Sequence, residues 1–157
     1  MNNPYKETLL QANKLLRTTD HLAYVTYPFL QEYKLLITIT ENLYNSIITL
    51  ITAFLQFEAY FGRIQYTPID INDKLQVFKE HCARRYNIEE KQLKVIQDLH
   101  NIKAERKSSI MEFNRNNKYM IYSNSGLKSI SIGLLKEYIN ETKNLTRKVN
   151  LIIQNDR

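Results

Sequence analysis

Tryptophan is absent from this chain, and glycine and proline occur only three times each. So few turn-formers exclude a many-stranded sandwich or barrel, which needs a tight turn every few residues. A single cysteine, Cys82, rules out an intramolecular disulfide and a cysteine-rich zinc site. The glycines, Gly62, Gly126 and Gly133, are too scattered to form a phosphate-cradling loop. The histidines, His21, His81 and His100, fit neither a His-Glu-x-x-His nor a Glu-x-x-His pattern. His81 follows Glu80 directly, but successive helical side chains diverge. No metal site and no cofactor are expected. Nothing in the residue order points to a serine or cysteine nucleophile.

Long apolar runs are also scarce. The stretch from Asn42 to Phe57 carries no charge, but Asn42, Asn45, Ser46 and Gln56 interrupt it and Glu41 and Glu58 close it. It falls short of the ~20 mostly apolar residues that span a bilayer, so a buried core helix is expected instead of a membrane segment. The opening MNNPYKETLL shows no basic region followed by an apolar run. A cytoplasmic location is expected.

What is present reads as helix. The 157 residues are 43% hydrophobic and 24% charged, enough to fold as a single domain over residues 1–157. Asn3 is placed to cap a first helix with Pro4 at its first position, and Tyr5, Leu9, Ala12 and Leu16 share one face. Asp20 is placed to cap a short second helix that Pro28 ends or kinks. Between residues 34 and 63, Leu36, Leu43, Leu50 and Phe57 recur every seven residues beside a second row of Ile47, Phe54 and Phe61. That double stripe predicts one long helix with neighbours on several sides. Glu41, Asn42 and Asn45 beside it are expected to bond to another helix or a partner chain. Asp70 or Asn72 caps the next element, and Asn87 and Glu90 stand in capping-box spacing before a helix running to about Arg106.

Residues 108–125 alternate in character around Asn116-Asn117, which predicts a short β-hairpin. Ser125-Gly126 then reads as a loop, and Ser129 or Ser131 caps a last helix carrying Leu134, Tyr138, Leu145, Val149 and Ile152. The expected fold is all-α: an antiparallel bundle of about five major helices with a hairpin-like insertion before the last.

Charge is divided unevenly along the chain. Residues 1–78 hold six Lys/Arg against seven Asp/Glu, and residues 79–157 hold sixteen against nine. The whole net charge of +6 therefore comes from the second half. Its densest part is HNIKAERKSSIMEFNRNNK, residues 100–118, followed by Tyr119 and Tyr122. Lys103, Arg106, Lys107, Arg115 and Lys118 are candidates for phosphate contact and Tyr119 for stacking on an unpaired base. His100 is the candidate proton-transfer group, with Arg106 or Arg115 as its phosphate-stabilising partner. The alternative is a solvated helix end whose cations suit the helix dipole. Asp20, His21, Tyr24 and Tyr27 form a second cluster, read as a capped helix start and a core edge.

The segments NKLLRTTDHLAYVTYPFL, KLLITITENLYNSIITLITAFLQFE and RKSSIMEFNRNNKYMIYS, in that order before a last helix, resemble small archaeal helical-bundle proteins akin to the HEPN superfamily. The resemblance runs from about residue 9 to 150 and is one of pattern. It implies a helical bundle that dimerises. It also implies either a metal-independent RNase or a non-catalytic binder of RNA or nucleotide. The nuclease members carry an Arg followed after four to six residues by a His. Here Arg17 and His21 are one residue too close, and His100 and Arg106 stand in the opposite order. The resemblance therefore transfers no catalytic residue. The reading it leaves is a dimeric RNA or nucleotide binder. An RNase using His100 and a pure protein–protein module are the alternatives.

Overall fold

The computed structural model describes residues 3–155. Five helical rods surround one core, and a three-stranded antiparallel sheet stands before the last rod. The fold is α+β, which corrects the all-α expectation. The first rod is α1 (Pro4–His21), a π-helical turn (Leu22–Thr26) and α2 (Tyr27–Leu30). The second is α3 (Tyr33–Tyr60). The third is α4 (Ile71–Val77), a π-helical turn (Phe78–Cys82) and α5 (Ala83–Arg85). Then come α6 (Glu90–Lys107), β1 (Met111–Arg115), β2 (Lys118–Ser123), β3 (Gly126–Ile130) and α7 (Ile132–Asn155).

The first rod is continuous where a break was expected. Asp20 does not cap a second helix; it lies inside α1 and pairs with Lys143 of α7 at 2.6 Å. Pro28 is accommodated because the preceding turn is wide, with Tyr27 N–H donating to the Leu22 carbonyl five residues back. That spacing relieves the usual conflict between a proline and the helix before it. The rod ends at Gln31, which takes the left-handed conformation (φ 53°).

Helix α3 is the axis of the molecule. It packs against α1, α4, α6, α7 and β2. Leu36, Leu43, Leu50 and Phe57 are all fully enclosed, as the sevenfold repeat requires. By length and composition α3 is apolar enough to cross a membrane, and half of its most apolar window is buried in the protein's own core. Of the three polar residues expected to bond another helix, Glu41 does so, accepting from Arg106 of α6. Glu41 and Asn45 are exposed and Asn42 is half-buried, whereas the buried polar residues are Thr40, Ser46 and Glu58. Thr40 and Ser46 donate to carbonyls of their own helix, Leu36 at 2.7 Å and Leu43 at 2.9 Å.

The caps differ in detail from the sequence reading. Asn3 makes no side-chain capping bond, and Pro4 alone marks the start of α1. Asp70 caps α4 by accepting from Asp73 N–H at 3.2 Å. The capping box of α6 is Glu89 with Gln92, two residues later than the Asn87–Glu90 pair expected. Asn87 instead closes the previous rod at φ 54°.

The hairpin forms where two asparagines permit it. Asn116 and Asn117 both have positive φ (53° and 61°), as a tight two-residue turn demands. The third strand, β3, replaces the loop expected at Ser125-Gly126, with Ser123 opposite Gly126 and Tyr119 opposite Ile130. Ser129 lies within β3, so Ser131 caps α7 by accepting from Leu134 N–H at 3.1 Å. Strand parity turns Tyr119 and Ile121 inward onto α3 and α6, both fully enclosed.

Candidate functional site

The basic residues of the second half do not form one patch. Arg106 is six residues beyond His100, which on an α-helix is ~9 Å along the axis and about a third of a turn away. It therefore faces the sheet. Its guanidinium donates to Glu41 of α3 and, through Nε, to Glu112 of β1 at 2.8 Å. It also lies over the Tyr119 ring at 5.7 Å, and Tyr119 O–H donates to the same Glu112. Burial opposes the charged form of Arg106, but the bonds to Glu112 and Glu41 outweigh it and raise its pKa. Burial likewise opposes the Glu112 carboxylate, and the bonds from Tyr119 and Arg106 hold its pKa below the ordinary value. Arg106 is thus a clamp joining α3, α6 and β1, and its planar fork is already occupied.

That arrangement gives a direct expectation. Arg106→Ala leaves two carboxylates and a tyrosine hydroxyl without their shared cation. The loss expected is about 1.5–3 kcal/mol, the scale of hydrogen bonds to charged groups. Arg106→Lys recovers only part of it, because a point charge cannot span two carboxylates as a planar fork does. Urea denaturation of the two variants checks this.

Tyr119 is fully enclosed, which excludes the stacking role assigned to it. Arg115 and Lys118 face each other at the exposed tip of the β1–β2 hairpin. Neither joins His100: the imidazole lies between α3 and α4, held at both nitrogens. Tyr44 O–H bonds its Nδ1 at 3.0 Å, and Asn72 Oδ1 bonds its Nε2 at 3.0 Å. The consistent tautomer has Tyr44 donating to Nδ1 and Nε2–H donating to Asn72. The two rings stack with centroids 6.1 Å apart, and burial raises the pKa of the Tyr44 hydroxyl.

His100, Lys103 and Lys107 recur at steps of three and four and share one flank of α6. At one end of that flank is a groove of about 560 Å³ between the third rod and α6. His100, Asn72, Gln76, Lys79 and Arg84 are among its lining residues. Lys79 reaches it from the second π-helical turn, whose extra residue sends Lys79 and Glu80 to the groove and His81 the other way. At the other end, Lys103, Arg106 and Lys107 line a shallow depression with Glu41. Lys103 lies over the Tyr44 ring at 5.9 Å between the two. The acids along this flank are engaged: Glu80 accepts from Gln76 at 3.2 Å, and Glu41 from Arg106. Lys79, Arg84 and Lys107 have no ion pair among the described residues. The result is a track of Arg84, Lys79, His100, Lys103 and Lys107, four of them cations. Sequence proximity suggested three of its members, and tertiary packing supplies Lys79 and Arg84.

Sequence reading missed a second cluster altogether. Glu58, fully buried in the last turn of α3, accepts from Arg63 Nε at 3.0 Å, bonds His81 Nε2 at 2.8 Å and accepts from Tyr86 O–H. Arg63 reaches it because Gly62 (φ 73°) reverses the chain. Arg63 N–H then donates to the Glu58 carbonyl at 2.9 Å, and Gly62 N–H to that of Ala59 at 3.0 Å. Arg63 also lies over the Phe57 and Phe61 rings at 5.1 and 5.2 Å. Cys82 is buried nearby, and desolvation followed by the Glu58 charge pushes its pKa up to about 12, so it is an unreactive thiol. No group of His, Cys, Asp and Glu among the described residues is arranged to hold a metal.

The cluster at Asp20 and Tyr24 is a seam between the first rod and α7. Lys136 and Lys143 lie over the Tyr24 ring at 4.8 and 5.3 Å, while Tyr27 is buried and His21 exposed. No protein-family model matches the chain, and no curated protein or solved structure is detectably similar to it.

Proposed function

We propose that this protein binds single-stranded RNA, without cleaving it, along the track formed by Arg84, Lys79, His100, Lys103 and Lys107. The observation that carries the reading is the unpaired state of Lys79 and Arg84 in the groove and of Lys107 at the depression beyond it, with His100 and Lys103 of α6 between them. Cations without internal partners are free to neutralise phosphates, and an extended series of them suits a polymer better than a single phosphate. His100 is held by Tyr44 and Asn72 as a positioned polar wall for the groove. Of the two arginines RNase chemistry could use beside it, Arg106 is committed to Glu41 and Glu112, and Arg115 stands at the exposed hairpin tip.

Counterion release makes the reading measurable. Four track cations, Lys79, Arg84, Lys103 and Lys107, give an expected log–log salt slope of about −3 for a single strand. In fluorescence-anisotropy titrations between about 50 and 200 mM salt, Lys79→Ala with Arg84→Ala is expected to halve that slope. The same variant weakens low-salt binding at least about tenfold. Arg115→Ala with Lys118→Ala, at the hairpin tip, leaves both unchanged. Absence of binding at low salt, or equal affinity of wild type and the Lys79/Arg84 variant, overturns the proposal.

A further inference from the structure

The connection between α3 and α4 presents two large apolar side chains to solvent. Ile69 is 95% exposed and Tyr66 is 71% exposed. These are not the loose residues of an unanchored loop. Ile64 packs against the core and Pro68 is buried, so the segment is fixed on either side of Tyr66. Tyr66 and Ile69 line a second groove of about 550 Å³, with Pro68, Asp70, Asp73 and Gln76 among its other walls. Gln76 also lines the groove of Lys79, Arg84 and His100. The two grooves therefore flank one ridge of α4 and meet at Gln76.

Their charges are opposite. On the Tyr66 side stand Asp70, spent as the cap of α4, and Asp73. On the other side stand Lys79 and Arg84 against the single carboxylate of Glu80, which accepts from Gln76, so that side keeps a cationic excess. A strand laid over the Gln76 ridge would keep its phosphates on the cationic side and turn a base, which carries no charge, toward Tyr66. An exposed tyrosine ring beside a cationic groove is the combination by which proteins hold unpaired bases, since every base offers a π-face.

We infer that Tyr66, backed by Ile69, is a stacking platform for one unpaired base of the bound strand, so that the protein selects single strands over duplexes. The inference rests on the RNA-binding reading above and adds the class of RNA and the residue that discriminates it. A paired base is stacked inside its helix and cannot be splayed onto Tyr66.

The test uses a labelled single strand of about 12 nucleotides, within the usual footprint of such proteins, and a duplex of equal length. Wild type is expected to prefer the single strand. Tyr66→Ala weakens single-strand binding about 5- to 150-fold, the range of one base–aromatic stack, and leaves duplex binding and the salt slope unchanged. Tyr66→Phe, which keeps the ring, retains the preference. Single-strand binding unaltered in Tyr66→Ala, while Lys79→Ala with Arg84→Ala still weakens it, overturns this inference alone. Failure of wild type to bind either RNA overturns both readings.

Discussion

Replacing Glu58 by alanine destabilises the protein by about 3–5 kcal/mol, the usual cost of removing one member of a buried charge network. The carboxylate is fully buried and holds three groups at once: Arg63, His81 and Tyr86. Without it the Arg63 guanidinium, set over the Phe57 and Phe61 rings, loses the buried carboxylate it donates to, and the Tyr86 hydroxyl loses its acceptor. The cost thus comes mainly from what is stranded, not from the attraction lost. Glu58→Gln separates the two, because an amide preserves shape and can still accept from Tyr86 while removing the charge. It should fall between wild type and Glu58→Ala in urea midpoint. A loss in Glu58→Ala below about 1 kcal/mol, the scale of an exposed pair, would show that solvent reaches the cluster.

The same cluster shows where sequence reading stops. The partners of Glu58 lie five, 23 and 28 residues further along the chain. Only the first leaves a local sign, a glycine that reverses the helix end just before Arg63. The other two are delivered by the packing of the third rod against α3, which no periodicity encodes. The core of α3 was legible because its repeat is internal to one helix: Leu36, Leu43, Leu50 and Phe57 face inward whatever surrounds them. The β1–β2 hairpin was legible because Asn116 and Asn117 tolerate positive φ where most residues resist it. Strand β3 was hidden because Leu127 is exposed and Ile130 alone is buried, so no apolar alternation shows. Its Ser129 also mimics a helix cap. Tyr119 was misjudged for a related reason: closeness in sequence to Arg115 and Lys118 does not reveal which face of a strand a ring takes. Net charge shows which half holds the excess cations, but ion pairing decides which of them are free: Arg106 is engaged by Glu41 and Glu112, whereas Lys79 and Arg84 have no ion pair among the described residues.

Alkaline pH should destabilise this protein in two stages, the first of them beginning well before its lysines titrate. Five groups in its interior have raised pKa values. Burial pushes Cys82 up to about 12, aided by Glu58, and burial pushes Tyr86 up to about 12, aided by its bond to Glu58. Burial raises Tyr44, Tyr119 and Tyr138 as well, with Glu112 reinforcing the shift at Tyr119 and Asp98 at Tyr138. In an unfolded chain a thiol ionises near pH ~8.5 and a phenol near ~10. A folded-state pKa above the unfolded value contributes stability that is whole below the unfolded pKa. That stability drains as pH rises toward the folded pKa, because the unfolded chain releases its proton first. The urea midpoint is therefore expected to hold level to about pH 8.5 and fall in two stages. The first, shallow, follows the thiol, and the second, steeper, begins near pH ~10 with the phenols. Cys82→Ala removes the first stage and leaves the second. Tyrosinate absorbance distinguishes cause from coincidence. If the buried tyrosines behave as argued, their share of it appears together with loss of helical circular dichroism. If every tyrosine of the folded protein ionises near pH ~10 with circular dichroism intact, the enclosed hydroxyls of Tyr119, Tyr138 and Tyr86 do not hold their protons, and the account of both carboxylate clusters fails with them.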